Sequence, residues 1–243
     1  MTKQPGDIVI SDAEIAELKE SAIFAEKNRT HFSVRFLVVG GLMTPEKFRS
    51  IAALADRFGN GTIHLTTRQG AEIPHVPYAK LAALRKSLET SPLEPARSGR
   101  CVRSITACPG TYCKFSDIDT QQLAADLFEQ FGNRNNLPHK FKIAVCGCSH
   151  CCSKPQENDL GVMGEGKNYI IFVGGMAGKT SRWGDRFLFA IRDKNILFRL
   201  VDAIIQWYVE HGVPKERFGT TIERVGLPQL VTEIEKIVGC EQN

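Results

Sequence analysis

A chain of 243 residues, 42% hydrophobic and 24% charged, is long enough for one large domain or two small ones with a proper core, and has the balance of an ordinary globular protein. Its net charge of +4, from 31 basic and 27 acidic side chains, is too mild to imply nucleic acid, though it suits a small polyanion if basic residues converge on one pocket. No apolar run could span a bilayer, and Met1 to Gly6 is polar without the apolar core of a secretory signal, so a cytoplasmic location is expected, with neither membrane nor nucleic acid as partner.

In chain order, residues 1–30 read as an N-terminal helix and lead-in, with Ser11 and Glu14 as a capping box before Ile15 and Leu18. Phe32 to Val39, rich in β-branched and aromatic residues, reads as a strand ended by Gly40-Gly41. Thr44-Pro45 then supplies an N-cap and a first helical residue, Phe48, Ile51, Leu54 and Phe58 recur at helical spacing, and Gly59 closes the helix. Thr62 to Thr67 reads as a strand and Tyr78 to Leu88 as a helix, which makes the first hundred residues β-α-β-α. A boundary is expected near 91–100, where apolar residues thin out around Ser91-Pro92 and Pro95 to Gly99.

Beyond it, strands are expected at Val102 to Thr106, Phe141 to Val145, Tyr169 to Val173 and Phe187 to Ile191. Helices are expected at Leu123 to Phe131, Leu197 to Val209 and roughly Gln229 to Val238. The alternation makes the class α/β or α+β.

Eight cysteines stand at 101, 108, 113, 146, 148, 151, 152 and 240, and six of them fall within residues 108–152. In a reducing compartment such crowding points to metal binding or catalysis rather than disulfides. The pattern is Cys108-x4-Cys113, then about thirty residues, then Cys146-x-Cys148-x2-Cys151-Cys152. Both groups follow expected strands in loops carrying Pro109-Gly110 and Gly147. Such loops can turn backbone N–H groups toward sulfur ligands. Soft thiolates suit an iron–sulfur cluster or zinc, and buried free thiols are the plainer alternative. The spacing around Cys148-Ser-His-Cys-Cys152 departs from paired zinc knuckles.

The stretch Ala107-Cys-Pro-Gly-Thr-Tyr-Cys-Lys-Phe115 is followed by Lys140-Phe-Lys-Ile-Ala-Val-Cys-Gly-Cys148 and Cys152-Ser-Lys-Pro-Gln-Glu-Asn-Asp-Leu-Gly161. Together they resemble the siroheme-containing nitrite and sulfite reductases, whose second pair is Cys-x3-Cys, as in Cys148 and Cys152. Phe32 to Gly41 and Thr66-Thr-Arg-Gln-Gly70 are similar to the family's ferredoxin-like half-domain, and Phe172-Val-Gly-Gly175 with Gly178-Lys179 to the segment after its cluster. The likeness runs over roughly residues 30–225. It implies an α+β fold, with a ferredoxin-like half-domain at 31–98 and a siroheme/4Fe–4S cluster domain at 99–243.

By that resemblance Cys108, Cys113, Cys148 and Cys152 hold a 4Fe–4S cluster, with Cys152 bridging one cluster iron to the siroheme iron. Arg35, Arg103, Lys140 and Lys142 match positions around the substrate, sulfite or nitrite. Arg68, Asn158 and Lys179 are expected cofactor contacts, and Arg182 is a weaker one. Fixed Arg and Lys suit both the anionic substrate and the siroheme carboxylates. On pattern alone Arg35, Arg103, Lys140 and Lys142 read equally well as the wet face of an edge strand. His64, His75 and His211 read as ordinary structural residues.

Two features depart from the family: the first pair is spaced x4 where many members have x5, and Ser149, His150 and Cys151 stand where Pro, Asn and a small residue are usual. Cys146 and Cys151 are extra thiols. The chain also carries one copy of a module that larger members carry twice, so a homo-oligomer is expected. There is no G-x-G-x-x-G after a strand, so electrons are expected from a partner such as a ferredoxin or reductase subunit. An electron-transfer subunit without a catalytic siroheme and a zinc-stabilised binding module are the competing functions.

Overall fold

A computed structural model describes residues 10–187 and 191–238. The chain divides into two compact units, Met1–Gly99 and Arg100–Asn243.

The first unit begins with helix α1 (Asp12–Glu20), whose N-cap Ser11 accepts from the Glu14 N–H at 3.2 Å. Its sheet, in the order β1-β2-β4-β3, comprises β1 (Ile23–Ala25), β2 (His31–Phe36), β3 (His64–Leu65) and β4 (Ala71–Pro77), all pairs antiparallel. Helices α2 (Pro45–Phe58) and α3 (Leu81–Leu88) complete the unit, and a 3-10 turn at Tyr78–Lys80 leads into α3. Burial along β2 alternates strictly: Phe32, Val34 and Phe36 are buried, while Ser33 and Arg35 lie on the half-buried face. The buried row joins Ile51, Leu54, Ala55 and Phe58 of α2 and Leu81 and Leu84 of α3 in one core.

Strands β1 and β4 are absent from the sequence reading. β1 lies in the segment read as lead-in. β4 carries Pro74 and Pro77, residues that argue against a strand in the middle of a sheet. The fold accommodates Pro74 at a bulge, where β4 has one residue more than β2 between Phe32↔Val76 and Val34↔Ile73. His75 in the bulge takes a φ of 60°, and the Glu26 carboxylate holds its N–H at 2.7 Å. The strand read at Thr62 to Thr67 shortens to β3, because Thr66 to Gly70 closes a turn: the Gly70 N–H donates to Thr66 Oγ1 at 3.0 Å.

The second unit holds a five-stranded sheet in sequence order: β5 (Thr106–Ala107), β6 (Ile143–Cys146), β7 (Leu160–Glu165), β8 (Asn168–Val173) and β9 (Asp185–Arg186). β5, β6 and β7 run parallel, and β8 and β9 are added antiparallel. Helix α4 (Thr120–Phe131) is the crossover between β5 and β6, capped by Asp119 on the Gln122 N–H at 3.1 Å. Every residue of β6 is buried, as expected of a parallel strand covered on both faces. Helices α5 (Lys194–His211), α6 (Phe218–Val225) and α7 (Leu227–Val238) follow. Tyr208 of α5 and Phe218 of α6 pack on Phe141, with ring centroids 5.8 and 5.4 Å away.

The strand expected at Val102 to Thr106 reduces to β5 plus an isolated bridge, Val102↔Phe141, and Phe141 itself precedes β6. Strand β7 was not anticipated, because Gly161 and Gly164 interrupt its apolar pattern. Helix α6 was missed too. The strand expected at Phe187 to Ile191 lies partly outside the described residues; Phe187 and Ile191 bond to Ile171 and Tyr169 of β8. Among the described residues, no helix is long and apolar enough to cross a membrane.

Candidate metal centre

Both cysteine loops leave the carboxyl ends of neighbouring parallel strands. The register pairs Thr106 with Ala144 and Ala107 with Val145, and the Cys108 N–H donates to the Val145 carbonyl at 3.1 Å. Cys108 and Cys146 therefore leave the sheet side by side. This is the edge at which parallel α/β sheets collect ligands, because the loops there are free of the ladder.

Backbone chemistry shapes the loops. The first passes through a 3-10 turn at Gly110–Tyr112, which ends with the Cys113 N–H on the Gly110 carbonyl at 2.8 Å. Gly110 has a φ of 62°, and a Cβ there would sit 2.5 Å from Thr120 Oγ1, so a side chain is excluded twice over. Thr120 Oγ1 and Gln121 Nε2 donate to the Cys108 carbonyl at 2.7 and 2.8 Å, anchoring the loop to α4. The second loop lies against the first: Asp117 N–H donates to the Gly147 carbonyl at 2.7 Å, and a Cβ on Gly147 would lie 1.8 Å from Ser116 Oγ. Cys151 and Lys154 both adopt a φ of 52°, uncommon for residues with side chains and frequent where function dictates backbone.

The sulfurs are graded in exposure. Cys108 and Cys146 are buried, Cys113, Cys148 and Cys151 half-buried, and Cys152 exposed. The Gly147 N–H points at Cys108 Sγ at 3.1 Å and Gln156 Nε2 at Cys151 Sγ at 3.0 Å. N–H groups aimed at sulfur are what a cluster's ligands require, and with this all-thiol donor set the loops fit an iron–sulfur cluster. Among the described residues no group of three or more His, Cys, Asp or Glu side chains is gathered on a single-ion site. Cys108 donates a hydrogen bond to Cys146, which holds the Cys146 thiol below its ordinary value and pushes Cys108 up. Burial pushes Cys151 up. Cys101 is buried apart from these loops, and Cys240 lies outside the described residues.

The basic candidates fall into separate settings. Lys140 and Lys142, each half-buried, flank fully buried Phe141 just ahead of β6 rather than within a strand. The Lys142 N–H donates to Asp159 Oδ2 at 2.8 Å. Arg103 is half-buried, and its N–H donates to the Phe141 carbonyl at 2.8 Å, so it lies beside the two lysines in the backbone ladder. Asn158 is buried and its amide donates to the Lys154 carbonyl at 2.9 Å, closing the turn after the second cysteine group. Lys179 is exposed. Arg182 ties its own loop together through the Gly174 carbonyl at 3.0 Å and Glu223 at 2.9 Å.

In the first unit, Arg68 is half-buried in the turn between β3 and β4. Arg35 is ion-paired with buried Glu72 and stacks 4.3 Å over the Phe24 ring. His64 Nδ1 lies 2.7 Å from the same carboxylate. Against the desolvation that raises it, hydrogen bonds from His64 and Arg35 hold the Glu72 carboxyl below its ordinary value. His64 thus shares the Glu72 carboxylate with Arg35. Asp159 also went unanticipated. It is fully buried, and one guanidinium nitrogen of Arg217 spans its two oxygens at 2.8 and 2.9 Å. Burial pushes its carboxyl up, opposed by the Arg217 charge. Its only sequence signal is a carboxylate directly before the apolar start of β7.

Comparison with known proteins agrees with this architecture. Residues 98–241 match the nitrite and sulphite reductase 4Fe-4S domain, and residues 24–91 the nitrite/sulfite reductase ferredoxin-like half domain. The chain is 28% identical over 197 residues to a nitrite reductase [NAD(P)H] of Bacillus subtilis, covering 81% of this chain and 24% of that protein. It is 24% identical to an assimilatory-type sulfite reductase of Nitratidesulfovibrio vulgaris, covering 77% of this chain and 84% of that one. Among the nitrite reductases of Bacillus, Synechococcus, Klebsiella and maize that it matches, it spans between 20% and 34% of their length. Dissimilatory sulfite reductase I has the same fold, with a TM-score of 0.75 at 16% identity over 88% of this chain and 70% of that chain.

Proposed function

The chain belongs to the nitrite and sulphite reductase family, and from that membership we propose that it reduces sulfite to sulfide, or nitrite to ammonia, with electrons from an external donor protein. The observation that carries the reading is the side-by-side exit of the two cysteine loops from parallel strands β5 and β6, with Cys152 as the outward-facing thiol. In this reading Cys108, Cys113, Cys148 and Cys152 would hold a 4Fe–4S cluster, and Cys152, the exposed member, would be the one nearest a siroheme. When bound, the two groups supply electrons to the substrate anion.

The chain's own part is to hold sulfur ligands, orient an anion and deliver protons. The Gly147 N–H stabilises the Cys108 thiolate. Lys140 and Lys142 Nζ carry transferable protons and are the proton donors, while the Arg103 guanidinium stays charged and orients. Arg68 meets cofactor carboxylates. Arg35 is less suited to substrate, because Glu72 already neutralises it and an anion would have to displace that carboxylate.

The test is the optical spectrum of anaerobically purified protein, followed by viologen-driven turnover of sulfite and of nitrite. The expected result is a Soret and red band with turnover of at least one anion. A broad brown shoulder without a Soret band, and no turnover, would move the chain to an electron-transfer role.

A further inference from the structure

Two thiols at this site have no place in the four-ligand set, and one of them, Cys146, is packed against a member of it. We infer that Cys108 and Cys146 form an oxidation-sensitive pair which, while the cluster is absent, closes to a disulfide and withdraws Cys108 from cluster binding. The inference rests on the reading of Cys108 as a cluster ligand.

Geometry selects the pair. Continuing the register Ala107↔Val145 by one residue sets Cys108 opposite Cys146, with side chains on the same face. Neighbouring strands lie about 4.7–4.9 Å apart, within the roughly 4.4–6.8 Å that a disulfide spans between Cα atoms. The two cysteines belong to one packed cluster with Met163 of β7 and Ile170 and Phe172 of β8.

Two neighbouring sulfurs are engaged elsewhere. Cys151 Sγ lies 3.5 Å from Met163 Sδ and receives the Gln156 amide at 3.0 Å. Cys148 Sγ lies 3.4 Å from His150 Nδ1. Cys108 is 7% exposed and Cys146 0%, so a bulky disulfide is excluded and the oxidant must be small.

Hydrogen peroxide meets that requirement. The Cys146 sulfur attacks one peroxide oxygen and the O–O bond breaks; the other oxygen leaves as hydroxide and takes the thiol proton to become water. The Cys108 sulfur then attacks the Cys146 sulfenic sulfur, the S–O bond breaks, and the oxygen leaves with the Cys108 proton as a second water. Two thiols lose two electrons and two protons, and one peroxide is reduced to two waters. With the cluster bound, the Cys108 sulfur is engaged by iron and the reaction is blocked.

The experiment uses the full chain freed of iron, treated with hydrogen peroxide, alkylated under denaturing conditions and digested with trypsin. The expected product joins the peptides Ser104–Lys114 and Ile143–Lys167, with tandem mass spectrometry placing the link at Cys108–Cys146. Anaerobic iron uptake should fall several-fold after peroxide and return with dithiothreitol. Cys146→Ser and Cys146→Ala should take up iron like the unmodified chain both before and after peroxide. A link through any other cysteine, no link at all, or iron uptake lost in both Cys146 variants before peroxide would overturn the inference. Full iron uptake in Cys108→Ser would instead overturn the ligand reading, whatever link forms.

Discussion

At the scale of single residues, the proposed site separates into groups that hold metal, groups that serve the substrate and groups that serve the cofactor. Serine in place of Cys108, Cys113, Cys148 or Cys152 should each remove most of the iron, because a cluster short of one thiolate is labile, while Cys101→Ser should leave iron content unchanged. Colorimetric iron and acid-labile sulfide measure this directly; full iron in Cys148→Ser would reassign the second pair. Lys140→Met and Lys142→Met should lower turnover about a hundredfold, on the order of 3 kcal/mol, with an intact siroheme spectrum. Arg68→Met should lower siroheme content itself. Wild-type turnover in both lysine variants at normal haem content would show that the pair only lines a strand face. The thiols were legible in the sequence because only one residue type supplies them and their spacing is distinctive. The partners of the charged residues were not: Glu72 lies 37 residues from Arg35 and Arg217 lies 58 from Asp159, and only the fold joins them.

At the scale of elements, two packed junctions decide how well the site is held. The first is where the cysteine loops touch. Gly147→Ala would press a methyl group into Ser116, and such overpacking typically costs about 1–3 kcal/mol. The expected outcome is lower iron loading together with a lower urea midpoint. The second junction is the turn from α5 to α6, where Arg224 grips the Glu216 carboxylate at 2.8 and 2.9 Å, joined by Thr221 Oγ1 at 3.0 Å and the Val213 N–H at 3.1 Å. Led by Arg224, these contacts hold the Glu216 carboxyl down at about 2, from an ordinary 4.5. A depressed carboxyl contributes stability above its unfolded value and loses it as pH falls through the folded one. Arg224→Met should therefore lower stability at neutral pH and flatten the decline between about 4.5 and 2, read from urea midpoints across that range. Long periodic elements such as α2 and α5 were plain in the sequence. β4, with two prolines, and β7, with two glycines, were not, because tertiary pairing overrides their local propensities.

At the scale of the whole molecule, the chain carries one half-domain and one cluster domain. If a single module needs a second copy to enclose a siroheme, the holo-protein should run as a dimer or larger by light scattering. A strictly monomeric and fully active holo-protein would refute that arrangement. The α+β class followed from the mixture of helix and strand periods together with the family resemblance. The bare alternation left it undecided between α/β and α+β, because β8 runs against β7, and β9 against β8, without any local mark of direction.

The exit of both cysteine loops at the ends of β5 and β6 separates two kinds of change in the gene. A residue gained or lost within the 3-10 turn at Gly110–Tyr112 alters only the arc between two thiols. A residue gained inside β5 would turn Cys108 to the opposite face of the sheet. The fold therefore tolerates a one-residue change in the spacing of the cysteines more readily than a change in the length of the strands that carry them.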